Sequence, residues 1–244
     1  MQSKRSLAAG VIGAAVLSIV MASPLKAATI TYVTPPGSTT GGGAVSASAL
    51  FTTVAGAVNI TLTNLQANIT DVAQALSDLD FTFSNGITTG TLTSSSGQQV
   101  SIAANGTTSL GATTSTGWGL NNNVSGGLQL NALGFVGPAG LIVGPPGPGG
   151  VYTNANGSIA GNGPHNPFIN QTATFTVSNA AITAATLITS AVFSFGTTAG
   201  INVTGVPSTN PVPLPGALPL FATGLGGLLL MRWKRKRKAE PIAA

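Results

Sequence analysis

Val58-Asn59-Ile60-Thr61-Leu62-Thr63, running on into Asn64-Leu65, sets an apolar residue at every second position with Thr or Asn between. A period of two puts one face of an extended chain in a core and the other in water. The pattern recurs at Thr174-Phe175-Thr176-Val177 and at Phe193-Ser194-Phe195. Outward from these anchors, further strands are predicted at 29–34, 90–94, 98–103, 126–136, 182–188 and 200–206. Phe81 and Phe83 share a strand face, closed by the turn pair Asn85-Gly86. Gly, Asn and Pro punctuate the intervals between them. One short helix is predicted over 70–79, capped by Thr70 or Asp71, because Val72, Leu76 and Leu79 recur at three to four. Residues 107–127 show little pattern. Residues 137–150, with Pro138, Pro145, Pro146 and Pro148 among glycines, read as a long loop, as do 151–167. The expected fold is all-β, an antiparallel β-sandwich or jelly-roll-like body. A β-solenoid lacks the fixed repeat it requires.

Charge is divided along the chain. Lys4, Arg5 and Lys26 lie at the front, and Arg232, Lys234, Arg235, Lys236, Arg237 and Lys238 at the back. Between them the only charged side chains are Asp71, Asp78 and Asp80. The basic isoelectric point is therefore a property of the ends. A body without Lys or Arg cannot displace counterions from a phosphate backbone, which argues against nucleic acid as a partner. The chain contains no cysteine, which excludes disulfides, thiolate nucleophiles and Cys-ligated metal sites.

The ends read as addresses. Residues 1–27 have the layout of a signal peptide: basic Lys4-Arg5, an apolar run over 7–21, a helix break at Ser23-Pro24, and the small residue Ala27. An uncleaved N-terminal anchor is the other reading of the same residues. After a body at 28–206 and a linker at 207–211 comes a tripartite segment at 212–238, followed by a tail at 239–244. Val212-Pro213-Leu214-Pro215 precedes an uncharged stretch whose proline-free part, 220–231, adjoins Pro219; the helix predicted over 218–231 spans roughly 21 Å against a hydrocarbon core of about 30 Å. Trp233 and the basic cluster then hold the cytoplasmic side by the positive-inside rule. An ordinary type I anchor would share these features.

The run Val212-Pro213-Leu214-Pro215-Gly216-Ala217-Leu218-Pro219-Leu220, ending in Arg232, Trp233, Lys234, Arg235, Lys236 and Arg237, resembles the PEP-CTERM sorting signal in its variant beginning VPLPA. Leu214 stands where the namesake motif has Glu, and Gly216 where the variant has Ala. The resemblance covers about the last thirty residues. It implies an exosortase as partner, transient single-pass anchoring in the inner membrane, cleavage near Pro-x-Pro, and delivery to the cell surface or extracellular matrix of a bacterium that makes exopolysaccharide. It implies nothing chemical about the body, because the signal is joined to many unrelated domains.

Within the body the candidates for chemistry are few. Asp78 and Asp80 share a face if Leu79 lies in a strand, and would make a weak Ca²⁺ site with Asn85 or backbone carbonyls; solvated strand-end aspartates are the plainer reading. His165, the single histidine, sits between Pro164 and Pro167 with no Gly-x-Ser-x-Gly elbow to support a triad, so a loop-holding role is expected. Trp118 and Tyr152, with Tyr32, are the aromatic faces on which a sugar ring could stack, and core or loop-anchoring roles compete with that. No cofactor and no enzymatic activity are expected. The functional expectation is a structural or adhesive surface protein associated with exopolysaccharide or biofilm, and the alternative is a carbohydrate-binding module.

Overall fold

A computed structural model describes residues 27–134, 140–198 and 200–208. The signal peptide apart from Ala27, and the whole sorting segment at 212–238, lie outside the described residues. Among those described, no helix is long and apolar enough to cross a membrane.

The body is almost wholly strand. In chain order these are β1 (Ala28–Val33), β2 (Thr39–Thr40), β3 (Gly43–Ala44), β4 (Ala47–Val54), β5 (Ala57–Asn64), β6 (Leu76–Phe83), β7 (Thr91–Ile102), β8 (Thr108–Thr114), β9 (Gly119–Val124), β10 (Gly127–Asn131), β11 (Ile142–Val143), β12 (Phe168–Ser178), β13 (Ile188–Phe195), β14 (Asn202–Thr204) and β15 (Val206–Pro207). Apart from the β2–β3 ribbon they join one thirteen-stranded sheet. One stretch runs β15-β1-β4-β5-β12, with β7 and β8 continuing from β12; another places β6 between β10 and β13, with β9 and β14 outside them. The two-residue β11 links the stretches, pairing in parallel with β12 and antiparallel with β6. The sheet is therefore mixed, where a purely antiparallel one was expected.

The sheet turns its apolar faces on each other. The rings of Phe51 on β4 and Phe81 on β6 lie 5.5 Å apart, although β5, β12 and β11 separate their strands in hydrogen-bonded order. Tyr32 meets Phe51 edge-on at 6.2 Å, and Phe83 meets Phe81 at 5.6 Å. On β5 the opening pattern holds: Val58, Ile60 and Leu62 are buried between exposed or half-buried polar neighbours. Burying such side chains contributes roughly 1.5–3 kcal/mol each.

The predicted helix over 70–79 is corrected. Only Val72–Gln74 form a turn, of 3₁₀ type, and from Leu76 the chain is strand. The i, i+3/i+4 spacing of Val72, Leu76 and Leu79 coincides with a stronger period of two, in which Leu79, Phe81 and Phe83 are buried between β10 and β13. Two aspartates, poor strand formers in isolation, hid that alternation. The two strands expected within 90–103 form one, β7 (Thr91–Ile102), and the unpatterned stretch 107–127 contains β8 and β9.

Candidate functional site

Asp78 and Asp80 lie mid-strand on β6, on the same face, and not at a solvated strand end. Across β10 they stand opposite Asn131 and Gln129; across β13, opposite Ser194 and Val192. Asp78 is buried, and each carboxyl has one buried oxygen with no hydrogen-bond partner among the described residues. Asn121 on β9 donates to Gln129 Oε1 at 2.7 Å. With its oxygen so engaged, Gln129 hydrogen-bonds the Asp80 carboxyl through its amide N–H. Burial, then the Asp80 charge and a hydrogen bond from carboxyl to carboxyl, push Asp78 up to about 8. Burial also raises Asp80, while Gln129 and Asp78 act against the rise. Near neutrality Asp78 therefore holds a proton, and burial favours the protonated form of Asp80 as well, against the Gln129 donor.

That arrangement suits a shared proton better than Ca²⁺, which takes about 6–8 oxygen ligands. Gln129 presents a donor to Asp80, not an oxygen. Among the described residues, no group of three or more His, Cys, Asp or Glu side chains could hold a metal.

Trp118 and Tyr152, expected as sugar platforms, are in the core. Trp118 is 5% exposed and Tyr152 2%. The indole N–H of Trp118 donates to the Gly140 carbonyl at 2.8 Å, and its ring packs on Phe175 at 5.2 Å. The Tyr152 hydroxyl donates to the Gly144 carbonyl at 2.6 Å, and burial raises its pKa. Rings enclosed in this way have no open face to offer a pyranose. Tyr32 is likewise buried, its hydroxyl donating to the Ile188 carbonyl at 3.2 Å.

His165 lies in the loop before β12, half-buried, its backbone N–H donating to the Asn162 carbonyl at 3.0 Å. The neighbouring Asn166 holds that loop, donating to the carbonyls of Ile102 at 2.8 Å and Ala160 at 3.0 Å. Sequence reasoning passed over Asn166, as it did Asn64, which is fully buried at the end of β5. Gln74 is also buried; its Oε1 accepts from Thr70 N and Asp71 N at 2.7 and 3.1 Å, closing a capping box with Asp71. The Asp71-x-x-Gln74 spacing is a readable signature of that box.

A regular polar feature of the described residues is a sheet face. Strand registers align Thr29, Thr52, Asn59, Thr176 and Ser94 in one row across β1, β4, β5, β12 and β7. The next row is Thr31, Leu50, Thr61, Thr174 and Ser96, and a third holds Val33, Ser48, Thr63 and Thr172. All of these side chains are exposed or half-buried, and none is charged. Some are tied to each other, Thr176 donating to Asn59 Oδ1 at 3.0 Å and Thr63 meeting Thr172 at 3.1 Å. At about 4.8 Å per strand the five-strand face is about 19 Å wide. Such a surface offers hydroxyl donors and acceptors in rows, with no field to attract or repel an ionic partner.

No protein-family model, curated protein or solved structure matches the chain.

Proposed function

We propose that this is an exported, non-enzymatic protein that an exosortase sorts to the cell surface or extracellular matrix, where its body adheres to exopolysaccharide. The observation that carries this reading is the uncharged hydroxyl face of β1, β4, β5, β12 and β7, joined to a chain whose basic residues are confined to its two ends. Hydrogen bonding in rows fits a neutral or weakly charged polysaccharide, met by many weak contacts instead of one deep pocket. The body is read as a β-sandwich, jelly-roll-like in outline, a reading supported by the Phe51–Phe81 contact between distant parts of the sheet. A carbohydrate-binding module built on an aromatic platform has less support, since Trp118 and Tyr152 are enclosed.

The tail resemblance supplies the route: secretion, a short residence in the inner membrane with the basic cluster in the cytoplasm, then cleavage near Pro213-Leu214-Pro215. The test uses the full chain in a bacterium that makes both an exosortase and exopolysaccharide, with an epitope inserted ahead of Val206. Fractionation is expected to find the epitope on the cell surface or in the matrix, and mass spectrometry to find a mature C-terminus ahead of the basic cluster. Full-length protein confined to the inner membrane would sink the sorting reading.

A further inference from the structure

We propose that the face of β9, β10, β6, β13 and β14 turned away from the core is a second glycan site, and that Asp78 and Asp80 receive the ammonium of an amino sugar there. Leu79, Phe81, Leu130 and Phe193 alternate with the residues of this face and are buried on the other side. Strand register carries the rows of the carboxyl pair outward: Asn121 on β9 stands beside Gln129, and Asn202 on β14 beside Ser194. Asp78 and Ser194 form the floor, at 8% and 5% exposed. Gln129, Asn131 and Asp80 are half-buried around them, and Asn202, at the β14 edge, is exposed. The hydroxyl face described above carries no charge, whereas this one carries two of the three carboxylates between Lys26 and Arg232.

Two observations point to a cationic donor from outside the chain. Asp78 Oδ1 and Asp80 Oδ1 are buried acceptors with no hydrogen-bond partner among the described residues, and such orphans are destabilising. Between Lys26 and Arg232 the chain has no lysine or arginine that could pair them. Nor does β9, β10, β13 or β14 bring any other ionisable side chain to the face. The hydroxyl of Ser194 is already committed, donating to Asn202 Oδ1 at 2.6 Å. An ammonium meets the shortage where Ca²⁺ does not: it has three N–H donors, which two carboxyls nearly satisfy, against about 6–8 oxygens for the metal. The carboxyls are closed on each other by a hydrogen bond, and the torsion that turns a carboxyl is soft, so rotation opens both oxygens onto one donor group. The pair releases a proton to solvent as the ammonium enters. Asn131 and Asn202 keep their side-chain oxygens on Leu133 N and Ser194 Oγ, leaving their amide N–H groups as donors for the hydroxyls of the sugar. The choice of a sugar over another amine rests on the polysaccharide reading above.

The test titrates the full chain, in mild detergent, with two oligosaccharides that differ only at nitrogen: oligomers of glucosamine and of N-acetylglucosamine. Calorimetry at about pH 6 keeps the proton on the amine. The glucosamine oligomer should bind about tenfold tighter, with a heat that varies with the ionisation heat of the buffer, because a proton leaves the pair. Asp78→Asn, whose amide N–H would occupy Asp80, should abolish that preference. Asp71→Asn deletes the same charge at the capping turn and should keep it. A lysine-rich peptide, as a third titrant, should bind more weakly than the amino sugar. Equal affinity for the two oligomers, a preference that survives Asp78→Asn, or a peptide that binds as tightly as the amino sugar would overturn the proposal. Pelleting with a neutral glycan reads the hydroxyl face separately. Its loss with the amine preference intact counts against that face, and the reverse result counts against this site alone.

Discussion

Asn64 on β5 donates its side-chain amide to the backbone carbonyl of Gln74 at 2.9 Å, and the same nitrogen donates to the Ile142 carbonyl of β11, also at 2.9 Å. Its oxygen accepts from Gln66 N at 3.0 Å. Gln74 in turn donates from Nε2 to the Ala44 carbonyl at 2.7 Å while capping the turn before β6. Two buried amides thus fasten the entrance of β6 and the link strand β11 to β5.

Replacing Asn64 with Leu should cost about 3 kcal/mol, because two carbonyls and one N–H lose their partner at a fully buried position. Urea unfolding of the wild type and of Asn64→Leu would show this as a lower midpoint at unchanged slope. A shift under about 0.5 kcal/mol would mean that these bonds are replaceable.

Asp78 ties stability to pH. Its folded pKa is raised to about 8, well above the ordinary carboxylate range near 4. The folded state therefore holds a proton that the unfolded chain releases. Stability from this group is fully present below about pH 4 and is lost as pH rises through about 8. Thermal melts between pH 5 and 9 should fall in Tm with rising pH. Asp78→Asn, which keeps a donor toward Asp80, should flatten that slope and stabilise the protein at pH 9.

Gly106 and Gly86 separate close approach from backbone strain. Both have positive φ, +82° and +70°. A Cβ on Gly106 would fall onto the Tyr152 carbonyl oxygen, whereas one on Gly86 meets nothing within 4 Å. Gly86→Ala should cost about 1 kcal/mol, from strain alone. Gly106→Ala should cost about 3 kcal/mol or more and displace Tyr152. Equal losses in the two unfolding curves would remove the packing argument.

Trp118→Phe should leave polysaccharide co-sedimentation unchanged while lowering stability by about 1–3 kcal/mol, since the Gly140 carbonyl loses its donor. Thr174→Lys, on the β12 strand of the hydroxyl face, should do the reverse and reduce pelleting with an insoluble neutral glycan by about tenfold at little cost in stability. The opposite outcome would return binding to the aromatic residues.

Legibility followed burial on one side. β5, β12 and β13 were readable because a core face alternates with a solvent face. β8 was not, because its seven residues are all exposed and leave no hydrophobic imprint. β6 was misread because burial on its polar face was hidden by two aspartates whose cost is relieved by a shared proton and by Gln129. Trp118 and Tyr152 carry polar groups that suit a surface, and only the fold reveals that Gly140 and Gly144 supply their partners inside. The hydroxyl face was present as alternate Thr residues, but its rows exist only once β12 is seated between β5 and β7.

That seating has a consequence for how the molecule comes into being. The strand flanked by residues 57–64 and 91–102 is drawn from 168–178, so it emerges after both of them from any machine that feeds the chain through head first. Until then β5, β7 and β11 wait with bare ladders and the sheet is left as three unjoined pieces. Under the export proposed above, threading across a bilayer would meet a slack polymer, and closure would fall to the far side.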